Sequence, residues 1–215
     1  MNVKDISTHC TRTEFVGTTV LDTIGLVISG IDDTLLQKMN IGTKYHALGL
    51  FSSRTGAAGQ LTAIDDAVKA TNTEILSIEL PRDTKGWGGH GNYIVLGGND
   101  ISDVRHAVQL ALELTEKYAG ELYISESGHL EFAYSASAGP DLQKAFHAEP
   151  GEAFGFMAGS PAAIGLVMAD TAMKASSVKI TSYMTPDMGT AHSNEVILSL
   201  SGDASAVKEA VLNAR

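Results

Sequence analysis

One cysteine, one tryptophan and five prolines among 215 residues leave several classes of protein out of reach. Cys10 has no partner for an intrachain disulfide, and it stands in a polar opening stretch, MNVKDISTHCTRTEF, that has no apolar core of signal-peptide length. No segment approaches the roughly 20 apolar residues that a spanning helix needs, so a cytosolic protein is expected. Lys and Arg total 15 against 25 Asp and Glu, a formal net charge of −10, and no basic run is long enough to track a phosphate backbone. Nucleic acid and anionic membranes are therefore poor partners.

Signatures of catalysis are missing too. No Ser-centred nucleophile elbow occurs, and the Asp32-Asp33 and Asp65-Asp66 pairs read most simply as a helix N-terminus and a solvated helix face. The seven histidines include no two at i,i+4 spacing and none paired with a cysteine in a ligand motif, so no metal and no other cofactor is expected. The run GWGGHG beside Lys85 has closely spaced glycines, but it returns directly into the strand-like NYIVLGG, whereas a phosphate loop must open a helix. The chain does not read as an enzyme.

What the sequence does hold is a repeat. DDAVKATNTEILSIELP from Asp65 overlies DTAMKASSVKITSYMTP from Asp170 at a shift of 105 residues. GGNDISDVRHAV from Gly97 overlies LSGDASAVKEAV from Leu200 at 103, and LQKMNIGTKYHALG from Leu36 overlies LQKAFHAEPGEAFG from Leu142 at 106. Three blocks in one order at near-constant spacing divide the chain into a leader over 1–14, a first domain over 15–119 and a second over 120–215.

Within each repeat, alternating apolar residues predict strands over TIGLVISG and LEFAYSAS, HALGLFSS and AFGFMAGS, EILSIEL and KITSYM, and NYIVLGG and EVILSLSG. Helices are expected over DDTLLQKM and PDLQKAFH, in the stretches ending at Lys69-Ala70 and Lys174-Ala175, and over DVRHAVQLALEL and SAVKEAVLNAR. Asp100 and Asp203 are suitable N-caps for the last pair. Each half thus reads β-α-β-α-β-β-α, an α+β layer whose antiparallel sheet carries helices on one face and leaves the other free. Asp65 with Lys69, and Asp170 with Lys174, stand one turn apart on equivalent helices, either as exposed i,i+4 pairs or as contacts at the edge of an assembly.

Two loops are the segments least explicable as packing. One runs from Pro81 through Lys85, Gly86, Trp87, Gly88, Gly89, His90 and Gly91 to Asn92; the other runs from Pro186 through Gly189, Thr190, Ala191, His192 and Ser193 to Asn194. They read as flexible hairpins or, repeated about a threefold axis, as a rim of N–H groups, hydroxyls and imidazoles that bind small polar solutes weakly enough to release them. Trp87 reads equally as a gate or stacking surface and as a lid on an apolar patch.

The second repeat, AIGLVMADTAMKASSVKITSYMTPDMGTAHSNEVILSLSGDASAVKEAVLNAR, resembles the bacterial microcompartment (BMC) shell domain: strand, helix closing on Lys-Ala, strand, loop, strand, Gly-Asp turn, helix. In the first, EFVGT, DTIGLVI, SSRTGAAG, DDAVKATNTEILSIELPRDTKG and GHGNYIVLGGNDISDV are similar to the circularly permuted tandem-domain class of that family, the PduB/EtuB type. The resemblance implies a homotrimer of six domains in pseudo-hexameric array, packed with other shell proteins into facets around encapsulated enzymes. It also implies pores, lined by the two loops, that pass small polar metabolites such as diols, alcohols and aldehydes. Asp65, Lys69, Asp170 and Lys174 would then lie at tile edges. Some relatives hold an iron–sulfur cluster on pore-loop cysteines; these loops have none, so no cluster is expected. The competing readings are a cytosolic regulator of ferredoxin-like fold that holds a metabolite between its repeats, and a metabolic enzyme with an unrecognised site.

Overall fold

Period-two burial builds two five-stranded antiparallel sheets in the computed structural model, which describes residues 12–83 and 90–215. Cys10 and, in the first loop, Lys85, Gly86, Trp87, Gly88 and Gly89 lie outside the described residues. The first repeat consists of β1 (Thr13–Thr19), β2 (Thr23–Ile28), α1 (Asp33–Met39), β3 (Ala47–Ser53), α2 (Ala58–Lys69), β4 (Thr73–Glu79), β5 (Asn92–Gly98) and α3 (Ile101–Tyr118). A short 3-10 turn, Ala119–Glu121, leads into β6 (Leu122–Ser125), β7 (Gly128–Ser135), α4 (Pro140–Phe146), β8 (Ala153–Ser160), α5 (Ala162–Ala175), β9 (Lys179–Met184), β10 (Val196–Gly202) and α6 (Ala204–Ala214). The sheets run β1-β2-β3-β5-β4 and β6-β7-β8-β10-β9, the same order twice.

Local chemistry accounts for most of these elements. The α3 helix starts where the Asp100 side chain accepts from Ser102 N at 2.8 Å, and α6 starts likewise at Asp203, which accepts from Ser205 N at 2.9 Å. Along α3, Val104, Ala107, Val108, Ala111, Leu112 and Thr115 are buried, a stripe at helical spacing that faces the sheet. The edge strands β1 and β6 were not anticipated from sequence. Neither has a clean alternation, and each is formed by a hairpin back onto the strong strand that follows it, β2 or β7.

A second difference from expectation concerns the free face of the first sheet. Phe51, Ile94 and Leu96 pack with Val104 and Val108 of α3, whereas the alternate residues Leu48 and Val95 pack with Leu36 of α1 and with Tyr45 and Leu76. The short helix therefore covers the opposite face, because both β3 and β5 are apolar on both sides, as centrally placed strands are. The main core does not stop at the repeat boundary: Leu142, Phe146, Phe154 and Phe156 of the second half join Leu61, Ile64 and Ile75 of the first in one cluster.

Candidate functional site

Each long loop begins and ends at a tightly bonded root. In the first, Gly91 N donates to Pro81 O at 2.9 Å, Arg82 and His90 form a bridge, and Gly56 N donates to His90 O at 3.1 Å. A Cβ at Gly91 would lie 2.2 Å from Ser53 O, so only glycine lets the root close there. In the second, Thr185 and Met188 exchange backbone bonds of 2.7 and 2.9 Å, His192 N donates to Pro186 O at 3.1 Å, and Ala191 and His192 take φ of 50° and 65°. This second loop is a compact double turn rather than a flexible hairpin.

Between the two roots lies a network of four buried ionisable side chains. His90 Nδ1 stands 2.5 Å from Glu195 Oε2, His129 Nε2 stands 2.5 Å from Glu131 Oε1, and His90 Nε2 is 3.8 Å from that same Glu131 oxygen. All four residues are at most 2% exposed. Glu131 Oε2 also accepts from Ala57 N and Ala58 N at 2.8 Å each, so a strand of the second repeat caps α2 of the first, whose N-cap residue, Ala57, has no capping side chain of its own. Gly56 makes room for this carboxylate: its φ is +70° and a Cβ there would meet Glu131 Oε1 at 2.9 Å.

The pKa shifts follow from this geometry. Burial alone would raise Glu131, but the bond from His129, the charges of His90 and His129 and the Ala57 amide together hold it at about 2. Burial alone would lower His90, yet the bond to Glu195 and the charges of Glu131 and Glu195 outweigh it and hold the imidazolium above its ordinary range.

At the other end of α2, Asp65 is fully buried and receives Lys69 Nζ at 2.5 Å and Gly139 N at 3.1 Å, while Lys69 also donates to Ser137 O at 2.7 Å. Asp65 and Lys69, expected at a tile edge, thus bind the turn between β7 and α4 inside the protomer. Their counterparts Asp170 and Lys174 pair at 2.6 Å on an open surface. The whole helix follows suit. Ten of the twelve residues of α2 are buried, against Gly165, Met168, Ala169 and Ala172 alone in α5.

Of the loop residues singled out by sequence, His90, Gly91 and Asn92 are enclosed, with Asn92 Nδ2 donating to Ser53 Oγ at 2.6 Å and Gly56 O at 3.1 Å. Thr190 and Ser193 are also buried, and Asn194, although exposed, accepts from Ala162 N at 3.0 Å as the cap of α5. Gly189, Ala191 and His192 are exposed. Sequence reading missed Glu131, His129 and Glu195. The available signal was His129 and Glu131 standing two apart, on one face, in an otherwise apolar strand. Among the described residues no group of three or more His, Cys, Asp or Glu is placed to hold a metal ion.

The BMC domain family matches residues 47–127 and 153–215. The bacterial microcompartment shell protein PduB of Citrobacter freundii is 50% identical over 206 residues, spanning 96% of this chain and 76% of that one. Among solved structures, a trimeric bacterial microcompartment shell protein PduB superposes with a TM-score of 0.88 at 42% identity, over 94% of this chain and 89% of the other. EtuB from Clostridium kluyveri superposes with a TM-score of 0.89 at 45% identity, over 96% and 90%.

Proposed function

The chain belongs to the BMC domain family of bacterial microcompartment shell proteins, and from that premise we propose how its two repeats make a porous tile. It is a structural subunit of the microcompartment shell, two tandem BMC domains that assemble as a homotrimer. We take the domains as 15–119 and 120–215, so that three chains supply six.

One observation carries the assembly: the face that α2 and β4 bury inside the protomer is left bare on α5 and β9. Leu61 is 1% exposed and its counterpart Leu166 56%, with Val167 and Ile180 at 67% and 50%. Within the chain, α2 packs on β7 and α4 packs on β4. Repetition of the fold supplies a matching edge, β2 and α1, which carries the exposed Leu35. The α5–β9 face of one protomer receives the β2–α1 edge of the next, and three such contacts close a ring. Asp170 and Lys174 lie at that contact as Asp65 and Lys69 lie at the internal one.

The two loops gather at pores that pass small polar metabolites, diols, alcohols and aldehydes among them. Lining falls to Lys85–Gly89 and, in the second loop, to the exposed Gly189, Ala191 and His192. Because the loops differ in length and sequence, a channel they share has threefold symmetry. Other shell proteins and the enclosed enzymes are the remaining partners, and the chain itself carries out no catalysis.

Leu166→Asp with Val167→Asp tests this. Sedimentation of the wild type should give a trimer, and electron microscopy of concentrated protein should give hexagonally tiled sheets. The double variant should sediment as a folded monomer and form no sheets; a trimer that survives both charges overturns the assignment of the face.

A further inference from the structure

Nothing in the assembly above explains why two histidines and two glutamates are sealed at the repeat junction. A buried ionic network costs desolvation that an apolar cluster would avoid. Its placement suggests the reason. His90 ends the first loop and Glu195 ends the second, each within two residues of the strand that carries the loop back into its sheet. Beyond their mutual 2.5 Å contact and the 3.8 Å approach of Glu131 to His90, the described residues offer His90 Nε2 and Glu195 Oε1 no hydrogen-bond partner.

We propose that His90 and Glu195 are positioning residues of the pore: their pair ties the root of one loop to the root of the other, and the proton on His90 keeps the tie closed. The proposal rests on the reading of these loops as pore-lining. With its proton, the imidazolium stands between two carboxylates, Glu195 at 2.5 Å and Glu131 at 3.8 Å. Without it, two buried carboxylates face a neutral ring. Glu131 is held in place by the Ala57 and Ala58 amides and by His129, so Glu195 and the loop behind it are what yields. Among the described residues, the titratable groups around His90 are Glu195 from the approach to β10, and Glu131 from β7 with His129 beyond it; the start of α2 contributes only amides.

The direction of the response follows. The folded protein holds the His90 proton above the ordinary value of 6.5, so the ionic tie is complete below that pH and weakens to at most a neutral hydrogen bond as pH rises through the raised value. Both loops should loosen together, on the alkaline side, at one midpoint.

Hydrogen exchange of the intact trimer over a pH series, expressed as protection relative to the unfolded chain, reads this out. The described root of the first loop, residues 81–83 with 90–92, and segment 186–194 should lose protection at a shared midpoint that matches the titration of His90 followed by NMR of labelled histidine. Glu195→Gln keeps an acceptor but removes the charge, and it should lower that midpoint by about one pH unit or more. Separate midpoints for the two loops, or an unmoved midpoint in Glu195→Gln, would overturn the tie. If that variant does not fold, a neutral His90 in the wild-type spectrum at pH 6 does so equally. Passage of solutes is not part of this readout. Coupled loops in a tile that passes no solute would therefore sink the pore reading and leave the tie standing.

Discussion

Leu61 and Leu166 occupy the same turn of equivalent helices, and one is 1% exposed while the other is 56% exposed. The residues are identical, so the difference lies in what covers them. Burying a leucine is worth about 2 kcal/mol, and the bare face sets Leu166 beside the exposed Val167 and Ile180.

The two lysines give a paired test. Lys69→Met strands the Asp65 carboxylate in a fully buried position and should destabilise the protomer by about 3 kcal/mol in urea unfolding. Lys174→Met removes a solvent-exposed pair and should leave protomer stability nearly unchanged, with its effect confined to trimer dissociation by sedimentation.

Glu131→Gln should cost about 2 kcal/mol, since the glutamine still accepts from Ala57 N and Ala58 N but no longer as a charged cap. Glu131 titrates at about 2 instead of 4.5, so its contribution is present above 4.5 and lost as pH falls through 2. Stability measured from pH 5 downward should therefore fall less steeply in the variant than in the wild type.

Asp141 provides the opposite sign. Burial, then the charge of Asp65, raise its carboxyl to about 6 from 3.8, so stability is lost as pH rises across that interval. Asp141→Asn should gain about 1–2 kcal/mol at pH 7, discounted for partial exposure, and nothing at pH 3.5, as measured by thermal melts at both.

Glycine positions separate sharply. Gly91→Ala drives a methyl to 2.2 Å from Ser53 O and should cost upwards of about 2 kcal/mol, whereas Gly120→Ala meets nothing within 4 Å and should be silent. Denaturation midpoints of the two variants check both.

How far the sequence discloses this molecule depends on the range of each interaction. Alternation in TIGLVI, the Asp100 and Asp203 caps and the stripe of α3 are local, and they are legible directly. β1 and β6 escape because a strand at a sheet edge with no buried face is defined by its hairpin partner rather than by its own pattern. The loops stand out by composition, but which of their residues face outward does not. His90 and Asn92 read as polar loop chemistry, yet each is consumed by a buried partner, Glu195 at a sequence separation of 105 and Ser53 at 39. Asp65 and Asp170 carry identical local signals, and only the fold shows that one of them belongs to an internal joint.

The cap that Glu131 places on α2 sets an order of events during synthesis. Ala57 leaves the ribosome 74 residues before the carboxylate that accepts from its amide, so until β7 has been made the first N–H groups of α2 can be met only by water. The first repeat is capped by the second, and a chain cut between them would yield a front half whose helix α2 lacks its carboxylate cap.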